Sequence, residues 1–230
     1  MVPKASTTIL QGGEAVGDVI LYGASGHGKV VVDTLVQAGA TVLGYLDDAQ
    51  SSWGKKLQGV EILGGIDVLS RFDSKRVRCL VSVGDNVVRK RLVARIEQTG
   101  FRFWVARHPS ASIAQATAIG AGTVIMAQVA VNPGAAIGRH VILNTACSVD
   151  HDCQVGDFAH LSPGVHLAGG VRVGSGVHLG VGVSVIPGVK IGANTVVGAG
   201  AAVVDDLPSG VTAVGVPARV IDASLEGNEA

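Results

Sequence analysis

Histidines 151, 160, 166 and 178 crowd the second half of the chain, and carboxylates flank the first of them in the run Ser148-Val-Asp150-His151-Asp152-Cys153. An unperturbed imidazole titrates near pH ~6.5, so it can accept or deliver a proton under ordinary conditions. By position alone each of these histidines reads first as a solvated polar group. A second constellation lies near the start, where Gly23-Ala-Ser25-Gly26-His27-Gly28-Lys29 follows an apolar run, with Asp47-Asp48 and Gly84-Asp85-Asn86 further on. Glycines that open a helix let backbone N–H groups and the helix dipole meet phosphate oxygens. The motif alone leaves three readings open: a dinucleotide site, a nucleotide-sugar site, or a tight turn. Its GxxGxG spacing differs from the GxGxxG of hydride-transfer enzymes. The roughly 90 residues of this region are also short for a complete six-stranded dinucleotide fold.

The elements that position the histidines are written in a six-residue period. From Ile113 to Val203 every sixth residue is aliphatic, through sixteen hexads without a slip. Fifth places are small or aliphatic, and second places favour glycine, as at Gly120, Gly138, Gly156, Gly174 and Gly192. Alternate side chains of a strand share a face, so the fifth place and the next first place both point inward. Third and fourth places fall where the chain turns, and glycine there or just before relieves the steric cost. Three short strands and three turns make an 18-residue coil, and coils stack about 4.8 Å apart. No hexad buries its own apolar face, but a stack does. The spacing predicts a β-solenoid. It puts His151, a third-place residue, at an outward corner, and His160, His166 and His178, sixth-place residues, on outward faces. Cys147 and Cys153 are fifth-place residues and hence core fillers.

The glycine-rich turn requires different scaffolding. Apolar runs at 19–22, 41–46, 79–83 and 101–105 alternate with helix-like spacing after the turn and from residue 86 to 98. Strands alternating with helices imply a parallel sheet whose crevice lies at the carboxyl ends of its strands. Ser25, Gly26, His27, Asp47, Asp48 and Gly84 all stand at such ends.

Composition narrows the classes. The 18 basic and 18 acidic residues cancel, which leaves no electrostatic footprint for nucleic acid or an anionic membrane. No apolar run reaches membrane-span length, and residues 1–18 lack the apolar core of a signal peptide, so a cytoplasmic protein with a loose N-terminal extension is expected. Three cysteines make no disulfide framework.

Ile119-Gly-Ala-Gly-Thr-Val and Ile191-Gly-Ala-Asn-Thr-Val resemble the hexapeptide repeat of left-handed β-helix acyltransferases. Tyr22-Gly-Ala-Ser-Gly-His-Gly-Lys, Leu46-Asp-Asp, Val83-Gly-Asp-Asn and His108-Pro-Ser-Ala extend the likeness to the NeuD/PglD-type sugar acetyltransferases, over roughly residues 19–221. The resemblance implies a Rossmann-like nucleotide-sugar-binding α/β domain at 19–108, a left-handed parallel β-helix at 109–221 and a C-terminal tail at 222–230.

It also implies roles. His151 would be the general base and Asp152 the acid that orients it, with Asp150 as fallback. Ser25, Gly26 and His27 would hold the diphosphate and sugar, Asp47 and Asp48 the base and ribose, and Gly84 the same crevice. His160 would contact acetyl-CoA, Val181 and Ala199 would line the groove for its tail, and Arg219 would meet a CoA phosphate. Relatives assemble as trimers, so a homotrimer is expected. The implied activity is N-acetylation of a nucleotide-linked amino sugar for glycan or capsule precursors, with O-acetylation of sialic acid as the alternative. Two readings of other classes are a noncatalytic nucleotide-sugar scaffold and a zinc carbonic-anhydrase-like solenoid. The latter requires an HxxxxH pair on neighbouring coils, whereas the spacings here are 151/160, 160/166 and 166/178. No metal site is expected.

Overall fold

The computed structural model describes residues 17–223 and, before them, the short strand β1 (Thr8–Ile9). The first domain contains β2 (Asp18–Tyr22), α1 (Gly26–Gln37), β3 (Thr41–Leu46), β4 (Lys56–Leu57), β5 (Val60–Gly64), β6 (Val77–Val81), α2 (Asn86–Glu97) and β7 (Arg102–Phe103). Its sheet runs β4-β5-β3-β2-β6-β7, parallel apart from the β4–β5 pair. The length argument against six strands therefore fails, because two-residue strands at both edges complete the sheet. The GxxGxG spacing is unaffected. Strands β4 and β5 are absent from the sequence expectation: β5 buries only Ile62 and Gly64, too faint an alternation to stand out.

Beyond it rises a left-handed parallel β-helix with three faces. One face stacks Ala118–Ile119, Ala136–Ile137, Gln154–Val155, Arg172–Val173 and Lys190–Ile191; a second stacks Ala106–Arg107, Val124–Ile125, Ile142–Leu143, His160–Leu161, His178–Leu179 and Val196–Val197. The third runs from Ser112–Ile113 to Ala202–Val203. Strand pairs between neighbouring coils join residues 18 apart, as Leu143 with Leu161, until the last coil, where Ile191 meets Leu207 and Val196–Val197 pairs with Thr212 and Ala213. First-place and fifth-place side chains fill the prism.

The two kinds of corner glycine differ in purpose. Left-handed φ falls on fourth places, including non-glycines such as His140 (φ 54°), Asp152 (59°) and Phe158 (59°). Second-place glycines serve coil spacing instead: a Cβ on Gly156 would stand 2.6 Å from the backbone N of Ser175, one coil on. Steric relief at the turn, expected for these glycines, is not their function.

Two domain limits also move. The first coil already begins at Ala106–Arg107, paired with Val124–Ile125, so the boundary at 108/109 cuts through it. At the other end Arg219–Ala223 folds back antiparallel on Val211–Val214, so the last element passes residue 221. Of the N-terminal extension the described residues include β1, which pairs antiparallel with Ala118–Ile119 on the first open edge of the solenoid, and Gly17 and Asp18, the latter already opening β2. The rest of 1–18 and of 222–230 lies largely outside them.

The domains share a core. Helix α1 lies between the sheet and the second solenoid face, so Val31, Val32 and Leu35 join one cluster with Val124, Met126 and Ile142. Beside it Arg89, from α2, is 1% exposed. All five of its N–H donors are used. Nε donates to the His140 carbonyl (3.0 Å), Nη1 to the carbonyls of Val83 (3.1 Å) and Gly84 (3.0 Å), and Nη2 to Asn86 Oδ1 and the Phe158 carbonyl (both 2.7 Å). Burying one ion costs several kcal/mol, and five charge-assisted bonds at ~1.5–3 kcal/mol each are enough to offset it. Burial lowers the guanidinium pKa to about 10, still far above neutrality. Arg89→Met strips four carbonyls and one amide of their donor, at ~1–3 kcal/mol for each that stays dry. The expected result is a loss of about 3 kcal/mol or more in urea unfolding, with earlier proteolytic cleavage between the domains.

His140 is the second buried polar group of this seam. Its ring stacks on Phe158 (5.1 Å) and meets the edge of Phe103 (4.5 Å), and neither ring nitrogen has a hydrogen-bond partner among the described residues. Burial, then the charges of Arg139 and Arg89, hold its pKa down to about 3. The unfolded chain therefore binds a proton here below pH ~6.5 that the folded chain refuses, so stability is full above that pH and declines as pH falls. His140→Phe is expected to flatten that decline when the melting temperature is followed from neutral pH toward about pH 4.

Candidate active site

The glycine-rich turn leaves the N-terminus of α1 open. Gly23 takes φ 116°, and a Cβ there would strike Val83 at 2.5 Å. Ser25 is the N-cap of α1 but makes no capping bond with its side chain, and the first turn holds no acidic residue. The leading amides of α1 thus have no intrahelical partner and carry the positive end of the dipole. Gly26 faces open space: nothing stands within 4 Å of where its Cβ would be. Gly28 lets α1 approach the sheet, since a Cβ would meet the Gly23 carbonyl at 2.6 Å.

Asp47 and Asp48 stand at the end of β3 but are already engaged. The two carboxylate oxygens of Asp47 accept from the amides of Ala24 and Ala49, both at 2.9 Å. Asp48 accepts from the Tyr22 hydroxyl and pairs with Arg95 at 2.7 Å. Arg95, first, and Tyr22 hold its carboxyl below the usual carboxylate range. Each oxygen keeps one lone pair for a ligand.

Facing the turn from the solenoid is a pair of histidines. His160 is 8% exposed, not on an open face as the hexad pattern implied, because the first domain covers that face. Its Nδ1–H donates to the Gly84 carbonyl (3.1 Å), so Nε2 is the acceptor and Asn144 Nδ2 lies 3.4 Å from it. His178 stacks on it at 4.8 Å, with Ser162 Oγ 3.1 Å from His178 Nε2. His27 of the turn is 6.1 Å from the His160 ring. Burial, aided by the charge of Arg89, lowers His27 to about 4; burial, then His178 and Arg89, lowers His160 to about 3. All are neutral at pH 7. Gly84, Asn86, Lys90, His160, His178 and Asn194 line a cleft of about 820 Å³ between α2 and the solenoid.

His151 is elsewhere. It projects from the corner between the first and third faces, which is the corner opposite the face that the first domain covers. Its side chain is 63% exposed. Nδ1–H donates to Asp152 Oδ2 at 2.9 Å, which leaves the Nε2 lone pair free. Hydrogen bonding to Asp152, then the charge of Asp150, raises the imidazole pKa above its ordinary value. Asp150 accepts from the His151 amide (2.7 Å) and from Asn132 Nδ2 (2.7 Å), so it holds the backbone and not the ring.

Glycines one coil away bracket the dyad. A Cβ on Gly169 would fall 2.5 Å from His151 Nε2, and one on Gly134 would fall 2.4 Å from Asp152 Oδ1. Adding or subtracting 18 from the candidate positions would have found both. Asn86 stands in the run Gly84-Asp85-Asn86 singled out above but with no role given to it, while Arg89 and Asn144 carry no local mark, because His140, Phe158 and His160, which they reach, lie 16 to 69 residues along the chain.

Val181 (56% exposed) and Ala199 sit on one corner in adjacent coils, joined by the Gly200 amide to the Val181 carbonyl (2.8 Å). Arg219 is exposed and stands 3.4 Å from Asp205. Cys147 and Cys153 are buried in the prism. Among the described residues no group of three or more His, Cys, Asp or Glu is placed to hold a metal ion, and no helix is long and apolar enough to cross a membrane.

Comparison with known proteins accords with this layout. The PglD N-terminal domain family matches residues 18–96. UDP-N-acetylbacillosamine N-acetyltransferase of Bacillus subtilis (strain 168) is 39% identical over 112 residues, 48% of this chain; the match spans 51%, about half, of that curated relative's length. Among solved structures, PerB from Caulobacter crescentus in complex with CoA and GDP-perosamine superposes with a TM-score of 0.84 at 42% identity, over 90% of this chain and 99% of that one. The acetyltransferase domain of PglB from Neisseria gonorrhoeae FA1090, in complex with acetyl coenzyme A, gives 0.84 at 33% identity, over 90% of this chain and 100% of that one. With the relative in Caulobacter matched along almost its whole length, the chain belongs to the PglD-type family of sugar N-acyltransferases.

Proposed function

We propose that this protein transfers the acetyl group of acetyl-CoA to the amine of a nucleotide-linked amino sugar, as a step in making glycan precursors. The observation that carries the reading is the His151–Asp152 pair, an exposed imidazole with its Nδ1 tied to a carboxylate and its Nε2 free. The relatives named above, with CoA and a nucleotide sugar or acetyl coenzyme A bound, support the substrate classes.

The turn Ser25–Gly26–His27 holds the diphosphate and sugar, with Gly84 lining the same crevice and Asp47 and Asp48 offering their remaining lone pairs to ribose and base. Acetyl-CoA lies along the corner marked by Val181 and Ala199, with Arg219 toward a CoA phosphate and His160 toward the acyl end. The sugar nitrogen attacks the thioester carbonyl, and a C–N bond forms. His151 Nε2 takes the proton from that nitrogen. The C–S bond then breaks, and the proton passes to the departing thiolate. No acyl-enzyme is needed, since both nearby thiols are buried.

One chain cannot bring its own parts together. His151 occupies the corner opposite the face that carries the nucleotide domain. A homotrimer around the solenoid axis resolves this by setting His151 of one copy beside the turn of the next. Co-expressing His151→Ala with a chain whose turn is blocked by Ser25→Trp is then expected to restore part of the activity that each variant lacks alone. Mixed assemblies as inactive as their parents would count against the shared site.

The assay is thiol release from acetyl-CoA in the presence of sugar nucleotides bearing 3- or 4-amino groups. His151→Ala is expected to lose about 10²–10⁴-fold in turnover while keeping its melting temperature and CoA binding. Turnover within threefold of the parent would sink the assignment. Because His151 must be neutral to act and its pKa is raised, activity should fall as pH drops through a value higher than that of an unperturbed histidine. Asp152→Asn removes the main cause of that rise, so the acid limb of kcat/KM should move to lower pH.

A further inference from the structure

The first domain exposes one aromatic ring that its fold does not use. Trp53 is 43% exposed and belongs to none of the three hydrophobic clusters. It follows β3, at the carboxyl ends of the parallel strands, where open α/β sheets take their ligands. The indole is nonetheless held in place. Its Nε1–H donates to the Asp47 carbonyl at 2.8 Å. Its Cζ2 lies 3.5 Å from where a Cβ of Gly65 would be, so that edge rests on bare backbone.

Asp47 makes the indole part of the phosphate site. Its carboxylate accepts from the Ala24 amide in the glycine-rich turn (2.9 Å), its own amide donates to the Gly64 carbonyl (2.9 Å), and its carbonyl holds the indole. One residue thus spaces an anion-binding turn from a flat apolar surface. A nucleoside diphosphate carries a charged end and an aromatic end joined through a ribose, the two chemistries that this turn and this ring would receive.

We propose that the exposed face of Trp53 is the platform on which the nucleobase of the substrate stacks. The proposal rests on the reading above that a nucleotide occupies this crevice. Every base offers a π-face, so the ring supplies affinity without choosing among bases. The choice falls to polar groups at the base edge.

The test uses the full chain and three probes: UDP, GDP and inorganic pyrophosphate. The protein has two tryptophans, and the other, Trp104, is half-buried. UDP and GDP are expected to quench indole emission saturably in the parent and not in Trp53→Ala. By calorimetry Trp53→Ala should bind both nucleotides about tenfold more weakly, the size of loss usual when a stacking ring is removed. Pyrophosphate affinity should not change. Trp53→Phe keeps a ring without the N–H and should recover most of the nucleotide affinity. Undiminished nucleotide binding by Trp53→Ala overturns the proposal and leaves the nucleotide site standing. An equal loss for pyrophosphate also overturns it, by showing that the indole only braces Asp47 and the turn. If the parent binds neither UDP nor GDP, the nucleotide reading fails and the proposal with it.

Discussion

The buried guanidinium of Arg89 is the contact on which the geometry of the site depends. Among the described residues it bonds no carboxylate, only carbonyls and an amide oxygen drawn from both domains. A cation solvated this way is directional as well as strong, because five donors in a planar fork admit little rotation. It fixes the loop 83–86 against the corner at His140 and Phe158. The same Gly84 carbonyl oxygen accepts from Arg89 and from His160 Nδ1, which sets the tautomer of that imidazole. The same charge helps keep His27, His160 and His178 neutral. One ion thus both docks the two domains and adds to the burial that keeps these imidazoles neutral.

The solenoid contributes a ruler. Coils repeat every 18 residues, so a side chain at a corner has fixed neighbours one coil away. This is how glycines at 134 and 169 come to flank Asp152 and His151 and leave room for an imidazole at a crowded edge. A narrow prism of small aliphatic residues cannot bury such a pair, so the dyad stays solvent-facing until another surface meets it. The exposure of His151 suits the shared site proposed above, in which a second copy would cover the imidazole.

The α/β domain uses its acidic residues differently from what their position suggests. Asp47 organises the turn and the loop after β3, and Asp48 is locked between Tyr22 and Arg95. A carboxylate at a strand end can serve the ligand indirectly, by holding the backbone that touches it. Their types and spacing are the same in either case, and only the hydrogen-bond partners separate the two.

The amino-acid sequence by itself determined the solenoid, its register and its turns, because a six-residue period leaves each apolar face only one way to be buried. It also placed the glycine-rich turn before a helix and put His151 at an outward corner beside Asp152. The faint strands β4 and β5, the start of the first coil and the burial of His160 were settled only by tertiary structure. Which solenoid face the first domain covers is a matter of surfaces meeting, and hexad position says only whether a residue points in or out. Arg89 shows the limit most clearly: in the run Asn86-Val-Val-Arg89-Lys-Arg it looks like any charged residue on a helix. Its acceptors lie up to 69 residues away, and that separation is invisible to any local pattern.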